Sequence, residues 1–168
     1  MNGTVASIAA IIERELRSLR DQLEAYADER DLWLVAPGIS NPPGVLAAHL
    51  VGNLQHFIGA RLGGTGYVRD RPAEFARRDR TRAELVAAID ETRGVVRVTL
   101  ASLPEGELDR DYPEVVAGVR VATGDYLVHL ISHLAYHLGQ IDYHRRLLAG
   151  GATVRAVPIP ELATARPA

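Results

Sequence analysis

Apolar residues recur along this chain at spacings of three and four, the signature of amphipathic helices. Ile8, Ile11, Ile12, Leu16, Leu19 and Leu23 form one such stripe and predict a first helix over residues 5–29. The segment from Trp33 to Pro43 breaks it, with a turn at Pro37-Gly38. Asn41 then suits an N-cap and Pro42 the first helical position, so a second helix is expected over 42–62, closed by Gly63-Gly64. Residues 63–80 are polar, Gly- and Arg-rich, and read as a loop. Thr81-Arg82-Ala83-Glu84 is a capping box. It opens a third helix with Leu85, Ile89, Val96 and Leu100 among its apolar positions, ending near Pro104. Residues 104–122 form a long connection. Its stretch from Glu114 to Val121 reads as an extended excursion, with a short β-hairpin as the alternative. Thr123 caps a fourth helix that runs to about Ala149, before Gly150-Gly151.

Four helices of this kind predict an all-α fold, a four-helix bundle with long connections. The bundle domain is expected over residues 1–151. A Pro- and Ala-rich tail over 152–168 is expected on the surface. The connections exceed the usual helix–helix lengths, and function tends to sit on such loops.

Composition narrows the function classes. At 168 residues, with 47% hydrophobic and 24% charged positions, the chain is of ordinary globular composition. Its net charge of -2 gives no global reason to expect nucleic acid or an anionic membrane as partner. The absence of cysteine removes disulfides, thiolate metal sites and a cysteine nucleophile. The N-terminus carries no basic region ahead of its apolar run, which Glu13, Arg14 and Glu15 soon end, so it does not read as a signal peptide. No apolar run approaches the roughly 20 residues of a membrane span. A cytoplasmic protein is the simplest reading.

The chemistry concentrates in histidine. Four of the six histidines fall in HLISHLAYHLGQIDYH, residues 129–144. At about 100° per residue, His129, His133, His137 and His144 share one narrow stripe of the fourth helix. The second helix carries His49 and His56 within HLVGNLQHF, also on one face. Histidines four apart can grip one metal ion, as in HExxH helices. Here both HxxxH pairs lack the Glu that serves a zincin as general base. The residues leave two readings open, a metal site or a hydrogen-bonded histidine core. Burial favours the metal, because clustered neutral imidazoles must each find a partner and a cation satisfies several acceptors at once.

HLVGNL in the second helix, with HLISHLAYHLGQI near the C-terminus, resembles the DinB-like superfamily, which includes thiol-dependent S-transferases. That family pairs a histidine early in its second helix with a C-terminal H-x-x-x-H-x-G-Q helix, matched here by His133, His137, Gly139 and Gln140. The resemblance implies three metal ligands, His49, His133 and His137, and an open coordination position. Zinc or nickel suits such nitrogen donors. His56 and His129 lie outside the pattern and are expected near the ligands or in the pocket, with Gln140. His144 is expected at the surface or helix end. The resemblance also implies a homodimer.

An open divalent site could act on a small-molecule substrate in two ways. It could hold the sulfur of a small thiol cosubstrate, giving an S-transferase, or activate water, giving a hydrolase. A non-enzymatic, dimeric ligand-binding bundle is the rival from another class. Asp90, Glu91, Asp125 and Asp142 are candidate general bases, with Asp125 better placed to complement the helix dipole. Tyr136 and Tyr143 are expected to pack in the core, with a pocket wall as the alternative. Tyr26 and Trp33 are expected to pack.

Overall fold

The structure is a computed structural model and describes residues 3–151, 154 and 158–167. It is all-helical, as the periodicity predicts. Helix α1 (Gly3–Glu24) is followed by a 3₁₀ turn (Glu29–Trp33). Helix α2 (Pro43–Leu54), a π-helical turn (Gln55–Ala60) and α3 (Arg61–Gly63) run on without a break. Then come α4 (Arg71–Ala76), α5 (Arg82–Ala101) and α6 (Thr123–Ala149).

Packing explains the long connections. Helix α1 packs against α5 and α6, and α2 packs against the same two. The consecutive pairs α1–α2 and α5–α6 therefore lie across the diagonals of the bundle, and a short turn cannot join them. The seam between the four is built from Ile12, Leu16, Leu19, Leu50, Leu54, Leu85, Ile89, Leu127 and Leu134, all buried. Burying each such side chain contributes on the order of 1.5–3 kcal/mol. Among the described residues, no helix is long and apolar enough to cross a membrane.

The boundaries differ from expectation in instructive places. Helix α1 ends at Glu24, not near 29. Asp28 accepts a hydrogen bond from the Arg30 backbone and starts the separate 3₁₀ turn. Helix α2 begins one residue late, with Pro42 as N-cap and no side-chain cap, so Asn41 does not cap it. At the far end Gly64 adopts the left-handed conformation (φ 62°) of a helix stop, as expected. The Thr81–Glu84 capping box forms in full. Thr123 is the first residue of α6 rather than its cap, and its buried hydroxyl has no hydrogen-bond partner among the described residues.

Two expectations for the connections are corrected. Residues 63–80 are not loop throughout, because Asp70 caps α4 through the Ala73 N–H and a proline follows in the first turn. The excursion does fold back as a rudimentary hairpin. Val116 and Val119 exchange backbone hydrogen bonds around Ala117 and Gly118, both at positive φ as a tight I′-type turn requires. The expected tail lies partly outside the described residues. Of its described part, the turn Ile159–Glu161 reaches α1, where Arg17 donates to Glu161.

Candidate metal centre

Three histidines from two facing helices meet near the middle of the bundle. His49 of α2 and His133 and His137 of α6 each offer a ring nitrogen, all within 4.8 Å of one another. The Nε2 atoms of His49 and His133 lie 3.2 Å apart. The ring centroids of His49 are 5.1 Å from His133 and 5.5 Å from His137, each edge to face. Two nitrogens on one zinc lie at most about 4.2 Å apart, given bonds of about 2.1 Å. Closing on an ion therefore asks for small ring movements only.

The outer shell fixes which nitrogen faces inward for two of the three rings, those of His49 and His137. His49 is buried, and its Nδ1 lies 3.0 Å from Glu74 Oε2. A carboxylate only accepts, so Nδ1 carries the proton and Nε2 presents a lone pair to the cluster. Arg69 Nη2 also lies 3.2 Å from Nδ1, but it bonds Glu74 Oε2 at 2.8 Å, and its Nε bonds Oε1 at 2.7 Å. We assign the His49 proton to the carboxylate on that basis. Burial pushes Glu74 up, yet its bonds to Arg69 and His49 outweigh burial and hold it below the usual range. It is a fixed anion. Gly52 makes this possible, because a Cβ at that position would overlap the Glu74 carboxylate.

Gln140 plays the matching part on α6. Its Oε1 accepts from His137 Nδ1 at 2.7 Å, which leaves the Nε2 lone pair of His137 free. This explains the H-x-G-Q spacing, since residues three apart on a helix are neighbours.

The proton inventory then shows what the cluster lacks. Three neutral imidazoles have three N–H donors and three lone pairs. Two of the donors point outward, to Glu74 and Gln140. One donor, on His133, remains to serve three lone pairs. The Nδ1 of His133 is buried, with no hydrogen-bond partner among the described residues. A cation relieves such a surplus of lone pairs. A proton is poorly suited at neutral pH, because burial and the neighbouring His137 and His49 push His133 down to about 4. Burial likewise lowers His137, despite the Gln140 bond, which raises it. An all-nitrogen donor set that disfavours protons fits a borderline divalent metal ion.

The other candidates lie outside the trio of rings, His129 directly against it. His56 Nε2 pairs with Glu114 at 3.0 Å, and Arg61 bonds the same carboxylate. His129 is exposed and stacks between Tyr126 and His133. His144 is a correction, because it is buried rather than at the surface. Its Nδ1 lies 3.0 Å from the Tyr26 hydroxyl and its Nε2 2.9 Å from the Leu34 carbonyl. Tyr136 and Tyr143 are also corrected, being 65% and 66% exposed instead of in the core. Tyr26 is buried as expected, and Trp33 packs against Gly44, where a Cβ would overlap its ring.

None of the candidate bases joins the cluster. Asp90 pairs with Arg20 and Arg93, and Asp142 bonds Gln22 and Arg145. Asp125 stands in the first turn of α6, as expected, and Glu91 borders a separate cleft. The carboxylate that does reach the cluster, Glu74, escaped the sequence reading. Its signal was the Asp70-Arg71-Pro72 helix start, which places Glu74 in the first turn of α4.

Comparison with known proteins follows the geometry. The family model of the DinB superfamily matches residues 11–141, a span that takes in all three histidines, Glu74 and Gln140. A search of curated proteins found no significant match.

Proposed function

We propose that this chain, which belongs to the DinB superfamily, holds one zinc or nickel ion on His49, His133 and His137 and uses it to transfer a small thiol to an electrophilic substrate. The observation that carries this reading is the surplus of inward lone pairs, left by Glu74 and Gln140 drawing the other two protons outward. Bound there, the ion supplies Lewis acidity that favours the thiolate of a cosubstrate at neutral pH. The protein's own residues orient and exclude. Arg69 pins Glu74, Glu74 pins the His49 ring, and Gln140 pins the His137 ring. Such outer partners commonly tune metal affinity by about 10–100-fold.

Thiol transfer is favoured over hydrolysis by the state of Glu74. Both its oxygens are engaged by Arg69 and His49, so it positions a ring and is not free to take a proton from water. A thiol, already acidic, needs no separate base.

The test is conjugation of low-molecular-weight thiols to 1-chloro-2,4-dinitrobenzene by zinc- or nickel-loaded protein. We expect a thiol-dependent rate that is lost on chelation and in His133→Ala. A metal-loaded protein that ignores every thiol yet hydrolyses activated esters would return the hydrolase reading.

A further inference from the structure

A second feature adjoins the cluster. Between the segment 38–46 and α6 lies a cleft of about 440 Å³, within the range of small-molecule sites. It borders the cluster at His137 and Gln140, which both line it. Its apolar walls are Ile39, Pro43 and Leu46 on one side and Tyr136, Tyr143 and Leu147 on the other. Ser40 and Asn41 add neutral hydrogen-bonding groups. Among the described residues, no Asp, Glu, Lys or Arg lines it, in a chain that is 24% charged. The cleft that Glu74 lines shows that this is not general. There Asp70, Glu74, Arg77, Arg80 and Glu91 contribute to the lining. Beside the cleft, the Arg146 guanidinium lies 5.5 Å from the Tyr143 ring centre and pairs with Asp142.

Three large side chains on this wall stand open to water. Tyr136, Tyr143 and Leu147 are 65%, 66% and 71% exposed. They lie about two helical turns, then one turn, apart, and so form a continuous strip. Aromatic walls with neutral polar groups, and no charged side chain among the described lining residues, suit an uncharged aromatic ligand. A charged ligand would lose hydration there without compensation.

We infer that this cleft is the binding site for a small, uncharged aromatic molecule, the electrophilic substrate, which it delivers to His137. The role as substrate site rests on the metal-centre reading, but binding itself does not. The test therefore uses metal-free as well as zinc-loaded protein, with zinc content measured separately. Two probes on the same naphthalene ring serve, neutral 2-naphthol and anionic 2-naphthoate, titrated calorimetrically at neutral pH. Metal-free protein should bind 2-naphthol at least tenfold more tightly than 2-naphthoate. Tyr143→Ser and Leu147→Asp should each weaken 2-naphthol at least fivefold. Val98→Asp, on the exposed face of α5, should leave it unchanged. Zinc-loaded protein should bind 2-naphthol as well as metal-free protein does.

Equal affinity for the two probes, or indifference to both cleft substitutions, would overturn the proposal even if zinc binds. Selective 2-naphthol binding without zinc uptake would uphold the cleft and remove the metal reading. Sedimentation of the wild type as a dimer that Leu147→Asp separates, with 2-naphthol binding unaltered, would assign the strip to a second copy and also overturn the proposal.

Discussion

His133 and His144 stand on the same helix, on nearly the same stripe, and are both drawn into the protein. Their surroundings differ in kind. His144 is sealed by the Tyr26 hydroxyl at 3.0 Å and the Leu34 carbonyl at 2.9 Å, one partner for each ring nitrogen. His133 has another imidazole nitrogen 3.2 Å from Nε2 and, among the described residues, no hydrogen-bond partner at Nδ1. The first is a finished structural contact. The second belongs to a group whose lone pairs outnumber its donors. A count of histidines does not separate the two, whereas a count of protons does.

The largest expected effect breaks the cluster itself. His49→Ala, His133→Ala and His137→Ala should each lower zinc affinity by more than about 100-fold, since each removes a direct ligand and not merely its support. Competition with a chromogenic chelator reads this directly. His144→Ala should keep full zinc stoichiometry.

Next come the groups that aim the rings. Glu74→Gln and Gly52→Ala should both weaken zinc by about 10–100-fold. The first alters the acceptor for the His49 proton, and the second forces the carboxylate off α2. Agreement between the two variants would show that they act through one contact. Full affinity in both would detach Glu74 from the site.

His144→Ala sharpens the contrast from the other side. It leaves the Leu34 carbonyl without its partner and the Tyr26 hydroxyl with only the Ile141 carbonyl, 3.2 Å away. Denaturant unfolding of metal-free protein should show a loss of about 1–3 kcal/mol, the cost of stranded buried polar groups. The smallest effect is expected for Gln140→Leu, a few-fold loss of zinc affinity. Gln140 is exposed, so water can replace its carbonyl at His137.

Much of this was readable before any coordinates. Periodicity located the four bundle helices, because each buries a continuous apolar stripe. The spacing of His133 and His137 and the H-x-G-Q pattern located half of the cluster, because helical geometry is local. The other half depends on which helices meet, and here the resemblance, not periodicity, singled out His49. Glu74 was hidden because it sits in an Arg-rich segment whose short helix has almost no apolar face to betray it. His144 was misjudged for a related reason. The segment that seals it, from Tyr26 to Leu34, is a connection, and no periodicity says where a connection lies. The exposed Tyr136 and Tyr143 share the same origin. Seven apart on one face of the helix, they were read as core packing, but α6 packs on α1 and α2 and leaves their side open.

The central claim is that His49, His133 and His137 form a cation site that His144 does not share. The most direct measurement is calorimetric titration of zinc into chelator-stripped protein, run side by side on wild type, His133→Ala and His144→Ala. The account predicts one zinc per chain in wild type and His144→Ala, and none bound tightly in His133→Ala. Tight zinc binding that survives in His133→Ala, or its absence from folded wild type, would contradict it and return the three imidazoles to the hydrogen-bonded core.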